Sequence, residues 1–250
     1  MSKPLILVTN DDGFYAPGVQ ALAKALTPLG DVAIAAPLAQ QSGVGRHISL
    51  RQPLRARERA PRAWAVEGTP TDCVYLAVYG LLDQVPDLVV SGINNGPNLA
   101  QDVWYSGTAG AALEGASIGI PSIAISHQSH RPKDFEPACG VAVRVAQFVL
   151  GQASWSASTI LNVNVPDLGS APCNEIRWTR AGRRLYNRAV VTRLDPRGTP
   201  YYWIGGGGLT HERDPGSDCD TLESGIATIT PVTLETTDFP CIEKFQNTVI

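Results

Sequence analysis

Through residue 165 the chain alternates between short unbroken apolar runs and longer stretches whose apolar residues recur every three or four positions. Leu5 to Thr9 is the first such run and reads as a buried strand. From Pro17 to Leu29, the residues Val19, Leu22, Ala23, Leu26 and Leu29 share one helical face, and Pro17 suits a first turn. Val32 to Ala36 predicts a second strand, and Pro70 to Leu82 a helix with Cys73, Leu76, Ala77 and Leu81 on one side. Leu88 to Ser91 predicts a third strand, Thr108 to Gly119 an Ala-rich helix, and Ser122 to Ser126 a fourth strand. Val141 to Leu150 predicts a helix and Ile160 to Val165 a fifth strand.

Continuous apolar strands separated by helices mark a parallel sheet covered on both faces. The expected fold is α/β, with a three-layer α/β/α, Rossmann-like core and a mainly parallel sheet. Ligands of such sheets bind beyond the carboxyl ends of the strands, so an enzyme should gather unusual polar residues there.

The last third differs. Arg177 to Tyr202 mixes basic and aromatic residues around the turn signal Asp195-Pro196-Arg197-Gly198. Tyr201 to Ile204 reads as a strand and Gly205 to Gly208 as a flexible turn. Approximately residues 186–225 therefore predict a β-hairpin arm within a single domain spanning 1–250. An exposed Tyr201-Tyr202-Trp203-Ile204 cluster would mark an interface; the alternative is a hairpin folded back on its own subunit. Ile226 to Thr230 predicts a returning strand.

Composition narrows the function. A chain of 250 residues, 44% hydrophobic and 17% charged, is long enough for one sizeable core and is not disordered. A net charge of −3 gives no general attraction for a polyanion. The arginines from Arg51 to Arg62 read as a solvated loop or edge, so no nucleic-acid polymer is expected as a partner. Five cysteines, an odd number without CxxC, argue against a disulfide framework and a structural zinc site; reduced thiols in the cytoplasm are expected. The run Leu5 to Thr9 is too short for a signal-peptide core or a membrane span, and no membrane partner is expected.

The chemistry gathers after the strands. The first ends in Asn10-Asp11-Asp12-Gly13. Two adjacent carboxylates there repel each other and resist desolvation unless a cation sits between them. The plainer reading is a solvated turn. Pro37 to Gly43 follows the second strand and contributes the Ser42 hydroxyl. Ser91 to Asn98 follows the third and contributes the amides of Asn94, Asn95 and Asn98. With the Asp pair these form an all-oxygen set, which suits Mg²⁺ or Mn²⁺. The four histidines fit no zinc-ligand spacing and read as surface or loop residues. Tyr105-Ser106-Gly107-Thr108 stands before a helix; Ser106 is a natural N-cap, and capping alone would explain it, while the functional reading adds that the free amides and helix dipole make a phosphate cradle. Gly68 to Cys73 also precedes a helix, where Thr71 or Asp72 caps it or lines the site. There is no GxGxxG after the first strand, no GxxxxGK[ST] and no GxSxG, which argues against dinucleotide, P-loop and serine-hydrolase chemistry.

Taken together, Asn10 to Gly13, Ser42-Gly43, Gly68 to Cys73, Ser91 to Asn94 with Gly96 and Asn98, and Tyr105 to Thr108 resemble the survival protein SurE family in order and spacing. The likeness continues through Asp195 to Gly198, Tyr202 to Gly205 and Ile229 to Pro231, and so covers nearly the whole chain. Leu38 stands where the family commonly has Asp, and the glycine run after Ile204 and the short tail after Pro231 also depart from it. The resemblance implies 5′-nucleotidase activity on nucleoside monophosphates, with 3′-nucleotidase and polyphosphatase side activities. It implies one divalent metal ion per subunit held by Asp11, Asp12, Ser42 and Asn94. It places phosphate near Asn98, Ser106, Gly107 and Thr108, with Asn10 in the same group. It also implies a homo-oligomer, a dimer or tetramer in which the arm and C-terminal segment are exchanged.

Two other readings remain open on the residues. One is a phosphatase forming an aspartyl-phosphate, although that arrangement wants DxD and here the two Asp are adjacent. The other is a non-catalytic nucleotide-binding module, in which two bare carboxylates beside a phosphate would repel the ligand.

Overall fold

The computed structural model describes residues 3–156, 158–186, 190–205, 209–246 and 248. Its strands in chain order are β1 (Leu5–Thr9), β2 (Asp31–Pro37), β3 (Ala56–Ala60), β4 (Ala63–Val66), β5 (Leu88–Asn95), β6 (Ser122–His127), β7 (Thr159–Val165), β8 (Ile176–Trp178), β9 (Arg184–Tyr186), β10 (Val190–Leu194), β11 (Pro200–Ile204), β12 (Leu209–His211) and β13 (Ala227–Thr233). The helices are α1 (Pro17–Leu26), α2 (Pro70–Leu76), α3 (Gly107–Ser117), α4 (Glu136–Leu150), α5 (Asp218–Glu223) and α6 (Phe239–Phe245).

Nine strands form one sheet in the order β3-β4-β2-β1-β5-β6-β7-β13-β8. From β4 to β7 every neighbour pair is parallel, while β3 and β13 pair antiparallel with β4 and β7. The layers follow from alternation along β1. Ile6 and Val8 face α1 and α4, whose Val19, Leu22, Val141 and Val145 are buried with them. Leu5 and Leu7 face the other side with Cys73 and Val74 of α2, Ala77 just beyond it and Ala111 of α3. Burial on both faces is why these strands are unbroken apolar runs.

Several elements differ from their expected extents: α1 stops at Leu26 rather than Leu29, and β13 runs on to Thr233 rather than Thr230. The third strand, β5, runs on to Asn95, because Asn94 and Asn95 pair with Ser126 and His127 of β6 after an irregularity beyond Ser91. Helix α4 begins at Glu136, with Pro137 in its first turn. Helix α2 gives way at Ala77 to a wider π turn through Leu81.

β10 and β11 form an antiparallel hairpin about the Asp195 to Gly198 turn, with every residue of both strands exposed. α5, within the same expected 186–225 span, instead packs Cys219 and Leu222 against Leu99 and Ala100. Gly206 to Gly208 of the glycine run lie outside the described residues.

Candidate functional site

The parallel strands deliver their carboxyl ends to one edge. Past β1, Asn10 is fully buried; its Nδ2 donates to Gly13 O at 3.1 Å and its Oδ1 accepts from Gly13 N at 3.2 Å. This closed turn presents Asp11 and Asp12. Asp11 O accepts from Gln41 N at 2.7 Å, tying the turn to the loop after β2 that carries Ser42.

Asp11 is only 4% exposed and lies against the N-terminus of α3. Its Oδ1 accepts the Thr108 hydroxyl at 2.5 Å. A Cβ on Gly107 would lie 2.7 Å from Asp11 Cβ, so the helix can approach the carboxylate only with glycine there. Asp12 is partly buried, and its Oδ2 accepts from Asn95 N at 3.2 Å. Burial pushes the Asp11 carboxyl up to about 6; the Thr108 hydroxyl opposes this and the Asp12 charge adds to it. Asp12 is raised too, again chiefly by burial, against the Asn95 amide and the Gln40 side chain. Among the described residues no Lys or Arg side chain offsets either carboxylate.

A cavity of about 430 Å³ opens over this edge, lined in part by Asp11, Ser42, Asn94, Asn98 and Ser106. Asn94 Nδ2 donates to Gly96 O at 2.7 Å, which leaves Oδ1 as its acceptor for a ligand. Ser42 is exposed and its Oγ accepts from Gln40 Nε2 at 3.1 Å. Asn95 Oδ1 is buried without a protein partner among the described residues. Asp11, Ser42 and Asn94 stand on the cavity wall, and Asp12, which does not line it, joins them through the lining residue Asn95; the oxygen donors suit a hard divalent ion.

Ser106 caps α3, accepting from Ala109 N at 3.0 Å, and also lines the cavity. Of the residues expected near phosphate, Asn98 and Ser106 reach the cavity wall. Gly107 and Thr108 join the site through Asp11, and Asn10 through its turn. The Gly68 to Cys73 segment is a capping box: Thr69 Oγ1 accepts from Asp72 N, and Asp72 Oδ2 accepts from Thr69 N.

Several residues around the site escape sequence reasoning, among them Asn162, Asn164 and Ser126, which hold the expected Asn98. Asn98 sits in a buried amide network: its N donates to Asn164 Oδ1, its O accepts from Asn162 and Asn164, and its Nδ2 donates to Ser126 Oγ. The signal available was two Asn at alternate positions in the otherwise apolar β7. Asp102, His130 and Tyr186 also line the cavity. Arg184 Nη1 donates to Asp102 Oδ2 at 2.6 Å, which fastens β9 to the cavity wall.

The protein-family profile described as "Survival protein SurE" matches residues 6–188. A protein of Syntrophotalea carbinolica named 5′-nucleotidase SurE is 45% identical over 249 residues, covering 98% of each chain. One from Anaeromyxobacter dehalogenans, with the same name, is 46% identical over 246 residues, covering 97% of this chain and 94% of the other. The crystal structure of the SurE protein from Aquifex aeolicus superposes with a TM-score of 0.85 at 37% identity, covering 97% of this chain and 98% of that one. The chain belongs to the survival protein SurE family.

Proposed function

We propose that this chain hydrolyses nucleoside 5′-monophosphates to nucleoside and inorganic phosphate, with one divalent ion, Mg²⁺ or Mn²⁺, held by Asp11, Asp12, Ser42 and Asn94. The observation that carries this reading is a buried carboxylate, Asp11, with no side-chain cation among the described residues, packed on a helix N-terminus at the wall of a cavity that Ser42, Asn94 and Asn98 also line. The names of its relatives support the same activity. When bound, the ion supplies Lewis-acid polarisation of a phosphate oxygen and a water of lowered pKa.

The chain's own groups do the rest. The Thr108 amide faces Asp11 and the Ala109 amide bonds the Ser106 oxygen, so Gly107 N and the Ser106 hydroxyl receive phosphate oxygens, where the helix dipole favours negative charge. Asn98, held by Asn162, Asn164 and Ser126, presents a side chain that cannot swing away. Thr108 fixes Asp11 rather than the substrate. Asn10 keeps the turn closed.

The same site would take 3′-monophosphates and short polyphosphate, since its recognition centres on a terminal phosphoryl group. The exposed hairpin fits an exchanged arm in a dimer or tetramer, within a single domain over 1–250. Five free cysteines accord with the cytoplasm. Among the described residues no helix is long and apolar enough to cross a membrane.

The test is phosphate release from a panel of nucleoside 5′- and 3′-monophosphates and polyphosphate, with Mg²⁺, Mn²⁺ or EDTA. Fastest release from a 5′-monophosphate, abolished by EDTA, is expected. Failure to release phosphate from any of them would end the proposal.

A further inference from the structure

Alkoxides are poor leaving groups, so hydrolysis of a nucleoside phosphate gains from an acid at the departing oxygen. The chain has four histidines. His127 is buried, and its Nδ1 accepts from Ser129 N at 3.0 Å. His211 Nε2 faces Asp220 Oδ1 at 2.9 Å. His47 lies in a separate groove with Leu50 and Arg51. His130 alone of the four lines the cavity that holds Asp11, Ser42 and Asn94.

His130 is exposed, and among the described residues neither ring nitrogen has a hydrogen-bond partner. The ring is nevertheless seated. Its Nδ1–Cε1 edge lies on Gly96, where a Cβ would come within 2.3 Å of Nδ1 and 2.4 Å of Cε1. Gly96 also receives the Asn94 amide on its carbonyl and donates its N–H to His127 O at 3.1 Å. The imidazole therefore rests on the turn that orients a candidate metal ligand and leads to Asn98. Asp102, also on the wall, suits the role less, since it is committed to Arg184.

We propose that His130 is the general acid of this reaction and protonates the nucleoside oxygen as it leaves phosphorus. The proposal rests on the nucleotidase reading. In the step, a water oxygen forms the new P–O bond while the P–O bond to the nucleoside breaks. An imidazolium N–H proton passes to the departing oxygen, giving the neutral alcohol. Both water protons remain on the phosphate, and one returns through solvent to the neutral imidazole.

The test compares adenosine 5′-monophosphate with its analogue in which sulfur replaces the bridging 5′-oxygen. Base, ribose and phosphate recognition stay the same, but a thiolate departs without an acid. Wild type is set against His130→Ala and His130→Asn, with melting temperatures confirming the fold. On the oxygen ester kcat should fall at least about 100-fold, and on the sulfur ester less than about 3-fold. Equal losses on both esters, or no loss on the oxygen ester, overturn the role of His130 while leaving the nucleotidase reading intact. A wild-type protein inactive on the oxygen ester removes the nucleotidase reading and this role with it.

Discussion

Replacing Asp11 by Asn isolates the electrostatic tension of the site. The carboxyl is raised from 3.8 to about 6, and the residue is almost fully buried. At about 1.36 kcal/mol per tenfold, this is roughly 3 kcal/mol of destabilisation by the ionised form. The folded value lies above the unfolded one. The cost is therefore absent below about pH 3.8, grows as pH rises, and is complete above about pH 6. Asn is isosteric and keeps an oxygen for the Thr108 hydroxyl. In EDTA at pH 7.5, Asp11→Asn should raise the melting temperature by roughly 6–12 °C, at about 2–4 °C per kcal/mol for a domain of this size. Near pH 4.5 about two-thirds of that gain should disappear. Scanning calorimetry at the two pH values reads it directly. Mn²⁺ at about 1,000 times its Kd should reverse the ranking, since it stabilises wild type by roughly 4.1 kcal/mol, more than the roughly 3 kcal/mol gained by a variant that binds the ion weakly. A variant no more stable than wild type in EDTA, or a gain unchanged between the two pH values, would refute the reasoning.

Gly107→Ala would place a methyl 2.7 Å from Asp11 Cβ. It should cost about 1–3 kcal/mol and lower metal affinity, read by melting temperature and calorimetric titration; unchanged values would show that the helix can retreat freely. Deleting residues 195–208 removes Tyr202, Trp203 and Ile204, which are 63%, 64% and 93% exposed. Sedimentation should show a smaller assembly than the intact chain, and an intact chain that is monomeric at micromolar concentration contradicts the arm's role. Hydrolysis of a substrate made chiral at phosphorus should invert configuration if Asp11, held by Thr108, acts as the proposed metal ligand rather than as a nucleophile. Retention, or an aspartyl-phosphate trapped at Asp11, would replace the single displacement with two.

Much of this architecture is legible in the chain because parallel strands are buried on both faces. β1, β2, β6 and β7 stand out as apolar runs, and α1 and α3 as helical patterns between them. β3 does not, because Ala56 to Ala60 forms an exposed, charged edge with no apolar face to detect. β4 is only four residues long. The extension of β5 looks like a polar loop, since pairing of Asn94 with Ser126 is a tertiary event. The Asp pair, Ser42, Asn94 and Ser106 can be found because each follows a strand or opens a helix. Asn162 and Asn164 are visible as strand residues, but their service to Asn98 is not. His130 carries no local pattern at all, and only the fold brings its ring onto Gly96.

The central claim is that Asp11 and Asp12 become functional through a shared cation. Protein stripped of metal by chelation and dialysis, then titrated with Mn²⁺, tests it most directly. Phosphate release from a nucleoside 5′-monophosphate should be absent at the start and rise with bound metal to a plateau at one ion per chain. Asp11→Asn should neither bind that ion tightly nor recover. Full activity before any metal is added would contradict the account.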